Sequence, residues 1–376
     1  MIRVLFIAGY DNPIYHRKVE LLADSPELEI LHVTTAACGR EEGQYWSAGG
    51  RRRYVVRTLE ARWVGRAGDP HRGYLWPPHC AMGEFKPDLV HAESDLETLG
   101  AAQVTLARSI WARRSKLVHY SWQNLLRPRR WPVRLVSQLS LRAADHVICA
   151  SREAVDVVRR QGFRRGTSVL PLVGLDARYF HPKRGSELRA RLGLGGFVVG
   201  FVGRLVPEKG VDTLLHAAAR LPDPRDVLIV GSGPEKSRLV SRARALGLEA
   251  SCRWIEAVSY DVVCDYMNAM DVLVLPSRTT RNWKEQFGRV LMEALGCRVA
   301  VVGSDSGAIP KVMGAAGQSF PEGDAGALAD ILKQLAGDAR WRGEMAERGY
   351  RRALENYSVQ RVAERLLQIW RDVHGG

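Results

Sequence analysis

WKEQFGRVLMEALG, residues 283–296, is the stretch on which the reading of this chain turns. It follows an apolar run at 271–276 with strand character and a polar loop at 277–282, and from 287 to 295 its apolar residues recur at helical spacing. Glu285 stands just before the expected helix and Glu293 lies on it, with seven residues between them. At about 100° per residue such a step does not bring the two carboxylates into line, so they would serve different ends of one ligand. The backbone N–H groups of Gln286, Phe287 and Gly288 would point out of the helix N-terminus, where the partial positive charge favours a diphosphate. Taken alone, the two glutamates also fit a capped helix with solvent-facing carboxylates.

Upstream, GFVGRLVPEKGVDTLLHAA (200–218) reads as a strand ending at Gly203, a short turn bracketed by Arg204 and Lys209, and a helix. Two cations beside a glycine suit a pyrophosphate leaving group whose charge grows as its bond to a sugar breaks. VGSGPEKSRL (230–239) places Gly231 and Gly233 after a strand, as a nucleotide-facing loop would, and SDSGAIPKV (304–312) is another strand–loop–helix turn.

These motifs sit in a regular alternation. Strand-like runs at 197–202, 227–230, 252–255, 272–275 and 299–302 are separated by helical patterns near 212–221, 236–246, 262–270 and 287–295. The first half carries a similar series at 4–8, 29–34, 89–92, 117–120 and 146–150, with a helix at 17–22 and a basic stretch of β character at 51–66. Alternation of this kind predicts α/β architecture: two doubly wound, Rossmann-like parallel-sheet domains with an interdomain cleft. The linker is PLVGLDARYFHP (171–182), which sets domains at 1–175 and 176–357. A closing amphipathic helix, 358–376, carries Val362, Leu366, Ile369 and Trp370 on one side.

The length of 376 residues also favours two domains, and 46% hydrophobic with 26% charged residues is ordinary for a soluble protein. The net charge is +14, divided as 27 Lys+Arg against 18 Asp+Glu in residues 1–180 and 28 against 23 in the rest. Such a field attracts nucleotide sugars, phospholipid headgroups or nucleic acid, although an arginine-rich composition that solvates helix faces accounts for it equally well. No helix-turn-helix, zinc-finger or aromatic RNA-platform pattern supports nucleic-acid binding beyond the charge. The six cysteines have no paired spacing, which argues for reduced thiols in the cytoplasm and against a zinc site or disulfides. The start, MIRVLFIAGY, reads as a strand and not a signal peptide. No run approaches the roughly 20 apolar residues of a membrane span, so any membrane contact would be peripheral, at the inner face.

The string EQFGRVLMEA resembles the E-x7-E element of glycosyltransferase family four, and G-R-L-x-x-x-K-G at 203–210 matches another of its elements position for position. The resemblance implies a GT-B fold and a retaining transferase that moves a sugar from a UDP- or GDP-sugar to a hydroxyl acceptor in polysaccharide, glycolipid or natural-product biosynthesis. It gives Glu285 the donor-sugar hydroxyls near the anomeric centre, Glu293 the ribose hydroxyls, and Gly203, Arg204 and Lys209 the phosphates. The nucleotide would lie on the C-terminal domain and the acceptor on the N-terminal one, to which the final helix would return. The chain departs from the family at Lys311, where an acidic residue is usual, and at Glu256, where glycine is common.

Over the first half the resemblance is sparse. HYSWQNLLRPRRWP (119–132) takes the place of a loop that often holds a His–Asp pair. Here His119 falls inside a strand, as a core histidine, and Gln123 and Asn124 are candidates for bonds to donor sugar or acceptor. AGYDNPIYHRK (8–18) lacks the family's double glycine, but Gly9 would still let backbone approach a ligand. Tyr15, His16 and Arg17 would line the acceptor side or merely begin a helix. Arg127, Arg129, Arg130 and Arg134, interleaved with Trp131, would seat an acceptor phosphate or meet a membrane surface, or form a solvated loop. No Asp-x-Asp occurs, so neither metal nor cofactor is expected. An epimerase or sugar phosphorylase on the same scaffold is the alternative enzyme class.

Overall fold

The computed structural model describes residues 1–8, 13–34, 43–47, 50–54, 58–59, 73–74, 79–183 and 185–376. The chain forms two compact units, Met1–Gly174 with Val359–Gly376, and Leu175–Ser358.

The first unit contains β1 (Ile2–Ala8), β2 (Leu28–Thr34), β3 (Gly43–Ser47), β4 (Gly50–Tyr54), β5 (Thr58–Leu59), β6 (Gly73–Tyr74), β7 (Leu89–Glu93), β8 (Lys116–Ser121), β9 (His146–Cys149) and β10 (Gly166–Val169). Its main sheet runs β10-β9-β8-β7-β1-β2-β3-β4, with β5 and β6 paired separately. The strands from β10 to β2 pair in parallel, whereas β3 and β4 add an antiparallel hairpin at the β2 edge. From Val4 to Ala8 β1 is apolar without a break because helices cover both faces of the sheet. Val4, Phe6 and Ala8 enter one core with Val118, Tyr120 and Ile148, and Leu5 and Ile7 enter another with Val33, Val90 and Met82. The basic stretch expected to be β contributes β4 and β5. β10 was not anticipated, because GTSV is a short, half-exposed edge strand with little apolar signal.

The helix Val359–Gly375 covers the first of those cores: Val362, Leu366, Ile369 and Trp370 are all buried there. Trp370 is fully buried, and its Nε1 donates to His91 Nδ1 at 3.1 Å. Arg365 donates to the Val169 carbonyl at 2.7 Å, which ties the same helix to β10.

The second unit contains β11 (Phe197–Val202), β12 (Arg225–Val230), β13 (Cys252–Ile255), β14 (Val272–Leu275), β15 (Ala300–Ser304) and β16 (Gln318–Phe320). All are parallel, in the order β13-β12-β11-β14-β15-β16. β16 was not read from the sequence, since only Phe320 of its three residues is buried. The fold places Cys264 and Cys297 together although their spacing suggested no pairing; their thiols are 3.6 Å apart, hydrogen-bonded and free of a disulfide. Among the described residues no helix is long and apolar enough to cross a membrane.

Trp370→Ala should cost about 3–5 kcal/mol, because it opens a cavity and leaves His91 Nδ1 unpaired in the core. Chemical denaturation followed by near-ultraviolet circular dichroism measures this. An unchanged midpoint would show that the helix is not part of the first unit's core.

Candidate active site

In the second unit β11 lies at the point where the strand order reverses: the chain proceeds to β12 and β13 on one side and to β14, β15 and β16 on the other. The loops leaving the C-terminal ends of β11 and β14 therefore meet at the place where ligands of such sheets ordinarily bind. These are the loops that carry the sequence motifs. Lys209 closes the short 3₁₀ turn Pro207–Lys209. Its Nζ donates to Glu285 Oε2 at 2.6 Å and lies 4.9 Å from the centre of the Trp283 ring. Ser277 Oγ donates to the same carboxylate oxygen at 2.8 Å. The two loops are joined through their backbones as well, Arg278 N–H donating to the Glu208 carbonyl at 2.8 Å. The SDSGAIPKV turn supports Glu285 from beneath, with Ala308 N–H bonded to the Glu285 carbonyl at 3.1 Å.

Both motif glutamates are buried, Glu285 at 7% exposure and Glu293 at 5%, so the alternative of solvent-facing carboxylates fails. Glu293 pairs with Arg289 at 2.9 Å and is hydrogen-bonded by Tyr260. Burial raises its pKa above the usual carboxylate range, against the pull of Arg289 and Tyr260. The two expected cations differ in kind. The charge of Lys209 is already countered by Glu285, whereas the Arg204 side chain is exposed and makes no hydrogen bond or ion pair among the described residues.

The expected helix start needs correction. Gln286, Phe287 and Gly288 precede the helix, which is Arg289–Gly296. Gly288 adopts φ 76° and ψ 54°, a left-handed geometry that glycine alone takes without strain and that holds the helix off for two residues. The N–H groups at the helix tip therefore belong to Arg289 and Val290. Gln286 is half-buried, and the Phe287 ring packs edge-on against Tyr357 at 5.7 Å, as part of the core.

Gly203, Gly231 and Gly233 lie where two loops run side by side beyond the ends of β11 and β12. Gly203 N–H donates to the Val230 carbonyl at 3.0 Å and Leu205 N–H to the Ser232 carbonyl at 2.9 Å. A Cβ at 231 would stand 1.9 Å from the Gly203 oxygen, and one at 233 would stand 2.2 Å from the Leu205 oxygen. Gly231 and Gly233 are thus required by backbone approaching backbone, whereas Gly203 is required by its own φ of 154°. Glu256 accepts from Ser232 Oγ at 2.5 Å and from Lys236, which pins this loop to the one after β13. Lys311 is exposed on its helix.

In the first unit the reversal falls between β1 and β7, and a carboxylate cluster that the sequence reading missed gathers there. Glu93, Asp95 and Glu97 are all buried, at 2%, 3% and 6% exposure. Three carboxylates within five residues of a parallel strand's C-terminal end is the signal that could have found them. Glu93 pairs with buried Lys18, whose Nζ also donates to the Leu172 carbonyl at 2.5 Å. Burial pulls the Lys18 pKa down and pushes that of Glu93 up. Glu97 pairs with Arg129 at 2.5 Å. Asp95 lies between them, and burial together with the charge of Glu97 lifts its pKa to about 7, opposed by hydrogen bonds with Gln123 and Ser121.

Gln123 is therefore brought to a titratable carboxyl. Asn124 is buried and turned toward Glu153 at 3.3 Å. His16 stands at the N-cap of the helix Arg17–Ala23, with its Nδ1 3.1 Å from Nε2 of buried His32. His119 is a core residue bonded to Thr105 at 3.0 Å, and burial depresses its pKa to about 4. Gly9 lies outside the described residues.

Two parallel-sheet units, each with polar side chains gathered at the reversal of its strand order, define a GT-B protein. Over 99% of this chain and 100% of its own, the Anabaena protein HepE, solved in complex with UDP, has a similar fold at TM-score 0.75 and 20% identity. Sucrose-phosphate synthase from Thermosynechococcus elongatus is similar over 100% of both chains, at TM-score 0.74 and 18% identity. Residues 187–352, which carry the Lys209–Glu285 pair and Glu293, match the family described as Glycosyl transferases group 1. It is 32% identical over 219 residues to the D-inositol 3-phosphate glycosyltransferase of Rhodococcus erythropolis, a match covering 53% of this chain and 47% of that protein. The corresponding protein of Mycolicibacterium vanbaalenii is 37% identical over 184 residues, covering 42% and 39%. The chain thus spans about half the length of these relatives or less.

Asp95 gives the first unit a pH signature. Its folded pKa of about 7 lies above the ordinary 3.8, so between those values the native state keeps a proton that the unfolded chain has released. Stability is thereby lost as pH rises through this window and levels off above it. Relative to Asp95→Asn, the wild type should lose up to about 1.4 kcal/mol per pH unit between about pH 4 and pH 7. Parallel denaturation curves for the two proteins from pH 5 to pH 8 would refute the elevated pKa.

Proposed function

We propose that this protein is a retaining, metal-independent glycosyltransferase that takes a sugar from a nucleotide diphosphate donor held by its second unit and passes it to an acceptor hydroxyl bound by the first. The observation that carries the reading is the Lys209–Glu285 pair where the sheet order reverses, with exposed Arg204 on the same loop as Lys209. Arg204, Lys209 and the N–H groups of Arg289 and Val290 stabilise the charge that grows on the diphosphate as the glycosidic bond breaks. In a metal-dependent transferase a divalent cation does this work; here the fixed cations do it. Glu285, held by Lys209 and Ser277, accepts hydrogen bonds from donor-sugar hydroxyls, and Glu293 accepts those of the ribose.

The acceptor oxygen bonds to the anomeric carbon on the face from which the phosphate leaves. Its proton passes to the departing phosphate oxygen, which accounts for retention without a dedicated base. Asp95 and Gln123 are the groups of the first unit suited to orient the acceptor. UDP is favoured as the nucleotide because HepE binds it, with a GDP-sugar as the other choice. The acceptor class is a polysaccharide, glycolipid or natural-product hydroxyl, and the names of the sequence relatives put phosphorylated polyols first in any screen. The reaction takes place in the cytoplasm, with the nucleotide sugar as substrate and no resident cofactor.

Arg204→Ala and Lys209→Ala should each lower kcat about 10²- to 10³-fold, the loss expected when one donor to a developing anion is removed. Turnover with a UDP-sugar should survive chelation of divalent metals. Near-normal rates in both variants, or a strict requirement for added metal, would overturn the reading.

A further inference from the structure

The helix Trp131–Ala143 is turned inside out with respect to water. The residues it buries are Ser137, Ser140 and Leu141. Those it exposes include Trp131 at 77%, Leu135 at 62% and Leu139 at 36%, and Leu126 on the preceding loop is 55% exposed. Spaced four apart, Trp131, Leu135 and Leu139 form one stripe along the outer face. A soluble helix places such a stripe against the core, so its display to solvent calls for a partner.

Charge surrounds the stripe. Residues 98–144 contain nine Lys+Arg and no Asp or Glu, which is nine of the chain's net +14. Arg130, Arg134 and Arg142 are exposed on or beside the helix. Against its inner edge lies a pocket of about 430 Å³ lined by Arg127, Arg129, Arg134, Arg160, Ser137 and Glu97. Glu97, paired with Arg129, is the one carboxylate among the lining residues, so the four arginines there keep a surplus of three positive charges. Two polar atoms of the lining, Arg127 Nε and Ser137 Oγ, are buried without a hydrogen-bond partner among the described residues, and Ser137 as a whole is 5% exposed. Buried donors left unpaired beside excess positive charge form a receptor for an anion with several acceptor oxygens.

We propose that the outer face of this helix, together with the arginine pocket, docks the protein on an anionic phospholipid bilayer, the pocket receiving one headgroup phosphate. The apolar stripe then lies among the acyl chains and the arginines meet the phosphates above them, an arrangement in which the helix rests on the membrane without crossing it. A second copy of the chain is a poor occupant, because a two-fold contact through this face would oppose two sets of the same cations, with Glu97 already engaged by Arg129 in each copy. Nucleic acid would satisfy the arginines but leave Trp131, Leu135 and Leu139 in water.

Vesicle co-sedimentation of the full chain tests the proposal and does not depend on sugar transfer. The protein should bind vesicles of phosphatidylglycerol mixed with phosphatidylcholine, leave pure phosphatidylcholine free, and dissociate as salt is raised. The triple variant W131S/L135S/L139S, whose unfolding transition should match wild type because all three side chains are exposed, should partition at least about tenfold more weakly. Arg127→Ala should weaken binding about fivefold, the share of one interfacial cation, whereas inorganic phosphate should not release the bound protein. Equal binding to neutral vesicles, no binding to anionic ones, or a folded triple variant that binds as wild type would each overturn the proposal. A concentration-dependent dimer abolished by the triple variant would assign the face to a second copy instead.

Discussion

The second unit is organised around one buried ion pair. Lys209 and Glu285 come from loops that leave the two strands at which the sheet reverses, so their 2.6 Å contact fastens those two loops together. Both side chains are largely withdrawn from water. Such a pair is tolerable only if the remaining lone pairs and protons are satisfied, because desolvation offsets much of the Coulomb attraction. Ser277 supplies one of the required bonds, and the Trp283 ring offers its face to the ammonium. Removing one partner would leave an uncompensated charge, a penalty of about 3–5 kcal/mol.

The first unit repeats the device with a different finish. Lys18 follows β1 and Glu93 ends β7, the two strands that flank that sheet's own reversal. Here the cation is sealed: Lys18 is 1% exposed and also bonded to the Leu172 carbonyl, so it has no face left for a ligand. The titratable character of this site has moved to Asp95, which forms no ion pair among the described residues. Equivalent positions in two similar sheets thus carry a structural pair in one unit and a more open pair in the other.

Much of this was legible in the residues. Uninterrupted apolar runs such as Val4–Leu5–Phe6–Ile7 and Val272–Leu273–Val274–Leu275 are what a sheet covered on both faces demands, and their alternation with helical patterns gave the architecture. The loops bearing Arg204, Lys209 and Glu285 were found because their residue types occur in sequence-local strings. Contacts between distant segments were not legible. Nothing in HAESDLETLG reveals that Lys18 lies against Glu93, or that Arg129 pairs with Glu97 and not with Asp95. The helix start was misplaced by two residues because periodicity reports apolar spacing and not the left-handed turn that Gly288 makes. The edge strands β10 and β16 escaped for the opposite reason, having too little apolar content to register.

The return of residues 359–376 to the first unit makes that unit discontinuous along the chain, with all of Leu175–Ser358 inserted within it. The order of synthesis follows. The ribosome releases β1, β8 and β9 long before the helix that covers Val4, Phe6 and Ile148, so one apolar face of the first sheet stays bare while the entire second unit emerges and has time to fold. Trp370 arrives at that face last, and a nascent chain interrupted anywhere in the second unit would present to the cell a sheet with one side still oily.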